Sequence, residues 1–170
     1  MRSTACIACL ASARACVAVV MGAAALTVVV RAQTPSQVPL RIQLTVGGQR
    51  FDYSGLGVCE YTREAFVYDM PAVRWAVRHS EANRHFQLVV WRPRTRPADL
   101  LALTIRLGAH THRVNTVRTN TRSERLGSGS VAFVPHEGGG TFTVHATSDV
   151  GASISGTVVC GAFAERRGRY

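Results

Sequence analysis

Ile154-Ser155-Gly156-Thr157-Val158-Val159-Cys160 lies close to the C-terminus, alternates apolar and polar side chains and ends on a cysteine. Its counterpart early in the chain is Ser54-Gly55-Leu56-Gly57-Val58-Cys59. Alternation at period two marks a strand with one face in a core. Two such strands, each ending on a cysteine, read as a pair tied by a Cys59–Cys160 disulfide, with the remaining chain folded between them.

The pairing depends on what precedes it. Residues 1–32 read as a secretory signal peptide: Arg2 and Arg14 supply positive charge, Cys16 to Val30 is apolar, and Val30-Arg31-Ala32 offers a cleavage site before Gln33. The alternative is a retained anchor, but the run from Cys16 to Val30 falls short of the ~20 residues a spanning helix needs. Cys6, Cys9 and Cys16 leave with the leader, so Cys59 and Cys160 remain as an even pair in an oxidising, secreted or periplasmic compartment. A bridge between them closes a loop of about 100 residues, a constraint of about 4–5 kcal/mol on the unfolded chain. Two cysteines alone make a poor structural zinc site, which wants four nitrogen or sulfur ligands.

Between the two cysteines the pattern is strand and turn. Residues 33–39 are a polar, proline-containing lead-in, and Leu40, Ile42, Leu44 and Val46 form one face of a half-buried strand. Gly47-Gly48 is a two-residue hairpin signal, because both positions tolerate positive φ. Gln49 to Tyr53 returns, and Gly55 and Gly57 suggest a bulge or close backbone approach before Val58 to Tyr61. Glu64 to Pro71 reads as irregular, with room for one helical turn. Val73, Trp75 and Val77 face inward, with Arg74 and Arg78 outward. Phe86, Leu88 and Val90 point one way on the next strand and Val89 and Trp91 the other, so that strand is covered on both faces. Leu101 to Leu107, Thr111 to Val117, Ser130 to Val134 and Thr141 to Thr147 complete the set. The segment from Thr119 to Ser130 reads as a mobile loop, and residues 164–170 as a charged, frayed tail.

With about eight to ten short strands, turn signals every 8–12 residues and no amphipathic helix, residues 40–163 read as one all-β domain. An antiparallel β-sandwich is the first expectation, because one disulfide joining early and late strands is a common way to lock two sheets. A β-barrel is the alternative.

The formal net charge is +10, of which Arg2, Arg14 and Arg31 carry three, leaving +7 on the mature chain with no lysine. Such a balance favours acidic partners: an acidic polysaccharide, a lipid headgroup or another envelope protein. Nothing predicts specific nucleic-acid recognition. Arg92, Arg94 and Arg96, in a proline-bounded loop beside Trp91, are the candidate polyanion-binding residues; Trp91 offers a face for a sugar or a guanidinium.

No catalytic signature stands out. His110 and His112 share a strand face and could meet one metal ion, but nothing fixes a third ligand among His136, His145 or a carboxylate. The sequence therefore assigns no metal and no cofactor. A Gly-x-Ser-x-Gly elbow is absent, and Gly127-Ser128-Gly129-Ser130 lacks a strand-to-helix setting. Gly138-Gly139-Gly140 lacks the Lys-Ser or Lys-Thr and the helix of a phosphate loop.

Taken together, Ser54 to Tyr61, Tyr68 to Trp75, Val90 to Pro93, His112 to Val117 and Gly127 to Cys160 resemble a group of short exported bacterial two-cysteine β-sandwich proteins of unknown function. The paired cysteine strands are also similar to those of small mycobacterial lipoprotein antigens. The chain departs there, since Cys16 precedes the apolar run whereas a lipidated cysteine follows it. The expectation is an exported, non-catalytic binding or structural module of the cell envelope. A small ligand-carrying barrel and a secreted hydrolase are the alternatives.

Overall fold

The computed structural model describes residues 36–96, 98–117 and 126–167; the leader and its cleavage site lie outside them. The described chain is all-β, with ten strands: β1 (Gln37–Val46), β2 (Gln49–Val67), β3 (Met70–Glu81), β4 (Arg84–Pro93), β5 (Leu100–Leu107), β6 (His110–Asn115), β7 (Ser128–His136), β8 (Gly139–Thr147), β9 (Ser153–Cys160) and the short β10 (Ala164–Glu165).

Nine of them form one continuous antiparallel sheet in the order β6-β5-β4-β3-β2-β1-β9-β8-β7. From β1 to β6, and again from β7 to β9, each strand neighbours the next in sequence, and β9 returns to pair with β1. The sheet therefore curls into a nearly closed up-and-down barrel, the alternative form of the expected all-β architecture, rather than two separate stacked sheets. Parity explains why closure is incomplete. Nine strands with only antiparallel pairs leave β6 and β7 pointing the same way, so they cannot complete the ladder antiparallel. Across this seam the described residues form an isolated bridge, Asn115 to Leu126, with the Asn115 N–H donating to the Leu126 carbonyl at 2.6 Å, and Arg113 of β6 exchanges hydrogen bonds with Asp149 in the β8–β9 turn.

All nine strands contribute to one core. Leu40, Ile42, Leu44 and Val46 line the inner face of β1 as their alternation dictates. Phe51, Phe86, Phe142, Leu88, Leu101, Leu103 and Ile105 are fully buried among them. Side chains thus fill the barrel interior, as expected of a small barrel. At one end Trp75, Phe133 and Phe142 cluster, with Phe133 at ring-centroid distances of 4.6 Å from Trp75 and 4.7 Å from Phe142.

Two hairpins show how local chemistry sets the register. Gly47 and Gly48 turn β1 into β2 with φ of 55° and 83°. The irregular stretch expected from Glu64 to Pro71 is instead a second hairpin: β2 continues to Val67, and Tyr68 and Asp69 make the turn at φ of 53° and 58°. The sequence hid it because neither turn residue is glycine. A register shift between Thr62 and Ala65 places three residue steps of β2 against two of β3, a β-bulge.

Cys59 and Cys160 are disulfide-bonded, with Cα atoms 6.2 Å apart and both residues fully buried. The bond joins β2 to β9 around the start of β1. Opposite β1, β2 is paired only as far as Val58, and β9 ends at Cys160, opposite Leu40. Just past the bond, Gly161 N–H donates to the Pro39 carbonyl and Phe163 N–H to the Gly138 carbonyl. The chain then takes the edge of β2 that β1 has vacated: β10 pairs in parallel with Glu60 and Tyr61. Residues 164–167 are therefore a docked strap where a frayed tail was expected.

Candidate functional site

The strap crosses an outer face that the pairing register builds from isolated polar residues. Thr62 on β2, Arg74 on β3 and Trp91 on β4 lie side by side in one row. In the next row Glu60, Ala76 and Val89 are aligned the same way. Ala76 and Val89 are buried although they face away from the main core, as the two-sided apolar pattern of β4 implies.

Glu60 anchors this face. Its side chain is only 8% exposed, and a carboxylate so far out of water needs charged partners. Arg78 Nη2 donates to Oε2 at 2.8 Å, and Arg166 donates to Oε1 from Nε at 3.0 Å, with its Nη2 in ion-pair contact with the same oxygen at 2.9 Å. The Arg166 backbone N–H also donates to the Tyr61 carbonyl at 2.7 Å, fixing the strap before its side chain reaches Glu60.

Arg74 is in a different position. Its guanidinium is half-buried and lies 5.9 Å from the centroid of the Trp91 ring. Burial lowers its pKa, the Glu60 carboxylate partly offsets this, and neighbouring Arg78 lowers it further. Among the described residues its contacts are this aromatic face and the field of Glu60, with no hydrogen-bond acceptor on its N–H groups. It opens onto a groove of about 390 Å³ shared with Thr62, Glu64, Ala65, Phe66, Trp91, Arg166 and Arg167. Trp91 and β4 bound one side of the groove, and the strap bounds the other.

The arginines of the expected polyanion loop have separate roles. Arg92 ends the inner row of β4, donating from Nε and Nη2 to Asp99 Oδ1 and Oδ2 at 2.9 and 2.8 Å. Its guanidinium lies 5.3 Å from the Trp75 ring centroid and 6.0 Å from that of Phe133. The hydrogen bonds to Asp99 raise its pKa, burial opposes them, and the Asp99 charge adds to the rise. Arg92 thus holds the barrel mouth together. Arg94 is exposed, its backbone N–H donating to the Pro71 carbonyl. Arg96 lies 5.7 Å from the Tyr68 ring centroid.

His110 and His112 pair with Leu107 and Ile105 across the β5–β6 ladder, and the His112 Nδ1 is buried without a hydrogen-bond partner. Among the described residues no three His, Cys, Asp or Glu side chains gather as a metal site. A second pocket, of about 560 Å³, is lined by Tyr53, Arg78, His79, Ser80 and His85 among others. His79 stacks on Tyr53 with ring centroids 3.5 Å apart. Ser80 Oγ and His85 Nδ1 approach to 3.4 Å, a contact their cross-strand pairing produces by itself. Among the described residues no partner hydrogen-bonds the other His85 nitrogen.

Sequence reasoning passed over Glu60, and took Arg166 as part of a frayed tail. It placed Arg74 outward and noted Trp91, but only strand pairing sets them side by side. Among known proteins no family model matches this chain, and no curated protein or solved structure matches it.

Proposed function

We propose that this is an exported, non-catalytic binding module of the bacterial cell envelope that holds an anionic ligand in the Arg74–Trp91–Arg166 groove. The observation that carries the reading is Arg74: a half-buried guanidinium, stacked on an indole, whose donors meet no acceptor among the described residues. A guanidinium is always charged and carries five N–H donors in a planar fork matched to oxyanions. Partial desolvation strengthens its pull on an incoming anion relative to a fully solvated arginine. The disulfide suits an oxidising compartment, and the apolar leader supports export. An interior packed with side chains leaves the outer face as the better place for a ligand.

The test is retention on immobilised heparin, used as a model acidic polysaccharide. The native protein is retained and elutes as salt rises, because exposed charges are screened over about 8 Å at physiological ionic strength. Arg74→Gln elutes markedly earlier, and Arg94→Gln elutes with the native protein. Equal retention of Arg74→Gln and the native protein would remove the groove from the account.

A further inference from the structure

The groove has two jaws from opposite ends of the chain. One is the sheet, with Arg74 and Trp91; the other is the C-terminal strap, with Arg166 and Arg167. The charges around it are unequal. Four guanidiniums, those of Arg74, Arg78, Arg166 and Arg167, stand against two carboxylates, those of Glu60 and Glu64. Arg78 and Arg166 are both hydrogen-bonded to Glu60, so they are held by the protein itself. Arg74 and Arg167 are the lining cations not bound to that carboxylate, one on each jaw.

We infer that the ligand carries a phosphate monoester bridging Arg74 on β3 and Arg167 on the strap, so that the site is complete only when the strap is docked. The inference rests on the anion-binding reading of the groove and adds the ligand class and the part the strap plays. Two positive charges left over around one groove match a dianion better than a carboxylate, and two planar forks can each take a pair of phosphate oxygens. The Thr62 hydroxyl, in the row beside Arg74, adds a neutral donor on the floor. Trp91 gives the carrier of the phosphate an apolar face.

Strap docking and ligand binding are then linked. The strap is held by a two-residue parallel pairing, one further backbone hydrogen bond and the Arg166–Glu60 pair. A ligand that touches both jaws binds the docked form better and shifts the population towards it.

The experiment uses the full mature protein, titrated by calorimetry with glucose 1-phosphate, glucuronate and glucose, and with phosphatidylcholine vesicles with and without phosphatidate. Glucose 1-phosphate binds, glucose does not, and glucuronate binds at least about tenfold more weakly, the loss expected for one charge-assisted hydrogen-bonded pair. Arg74→Gln and Arg167→Gln each raise the Kd for glucose 1-phosphate at least about tenfold on the same grounds. A chain ending at Phe163 loses binding while circular dichroism and the Cys59–Cys160 bond show the barrel intact. Arg41→Gln, on the outer face of β1, binds like the native protein.

If the full protein binds neither phosphate nor glucuronate, the anion-binding reading itself fails. If it binds phosphate but Arg167→Gln and the shortened chain bind equally well, the strap has no part in the site. Equal affinity for glucuronate overturns the phosphate class, and binding to phosphatidate vesicles without binding to glucose 1-phosphate shows membrane adsorption instead. Binding to both phosphate sources supports recognition of the phosphate group itself.

Discussion

Arg166 and Glu60, 106 residues apart in sequence, meet at a single carboxylate oxygen, Oε1, through a hydrogen bond from Nε and an ion-pair contact from Nη2. This contact turns the C-terminal residues from a tail into a wall of the groove. It also leaves Glu60 with cationic partners on both oxygens, which is how a carboxylate persists with so little exposure.

Replacing Glu60 by Gln removes the charge but keeps the shape. Arg74, Arg78 and Arg166 then face one another without their shared carboxylate. Because Arg78 and Arg166 are more than one-third exposed, solvent screens much of the effect, and a loss of about 1–2 kcal/mol is expected. Urea unfolding measures it. Limited proteolysis should also cut near the C-terminus sooner than in the native protein.

Cys59→Ser with Cys160→Ser releases the closure of a long loop. The loss of stability is about 2–4 kcal/mol, within the usual range for native bridges. The same comparison, made by reducing the native protein, should lower the urea midpoint in the same direction.

Gly156 is fixed by close approach rather than by a turn. With φ of 143°, a Cβ added there would lie 2.1 Å from the Gln43 carbonyl oxygen on β1. Backbone must shift to make room, so Gly156→Ala costs about 2 kcal/mol or more. Thermal unfolding checks it, with Gly151→Ala as a milder comparison: its φ is 79°, and an added Cβ there meets no atom within 4 Å.

The pH profile of phosphate binding follows from the direction of the Arg74 shift. A base whose folded pKa is lowered holds its charge at a cost, and that cost is relieved only as pH rises through the folded pKa. For a guanidinium this lies in strongly alkaline solution, so Arg74 stays charged through the neutral range. The ligand sets the profile instead. Binding strengthens as pH rises through about 6, where a phosphate monoester takes its second charge, and is flat from there to about pH 8. Calorimetric titration at pH 5, 6, 7 and 8 reads this directly.

Much of the fold was legible because period-two alternation is a local property. Leu40 to Val46, Phe86 to Val90 and Leu101 to Leu107 each show which side chains face the core, and the cysteine count left one pair to bond. The closure of nine strands into one curled sheet was not legible, since alternation gives faces but not neighbours. Nor was the Tyr68–Asp69 turn, where two non-glycine residues adopt positive φ in a setting that tertiary pairing stabilises. The groove was the least legible part. Thr62, Arg74 and Trp91 are ordinary strand residues until the register aligns them, and Glu60 and Arg166 are ordinary surface charges until the disulfide brings the strap beside β2. The arginine-rich loop stands out in the sequence because its charges are contiguous; in space Arg92 is hydrogen-bonded to Asp99.

The most direct test follows the two indole N–H signals in a ¹H–¹⁵N spectrum of the protein during titration with glucose 1-phosphate. The account predicts a saturable shift of Trp91, together with the Arg74 and Arg167 side-chain signals, while buried Trp75 stays still. The absence of any saturable shift at Trp91, or shifts centred on Arg94 and Arg96 instead, would contradict it.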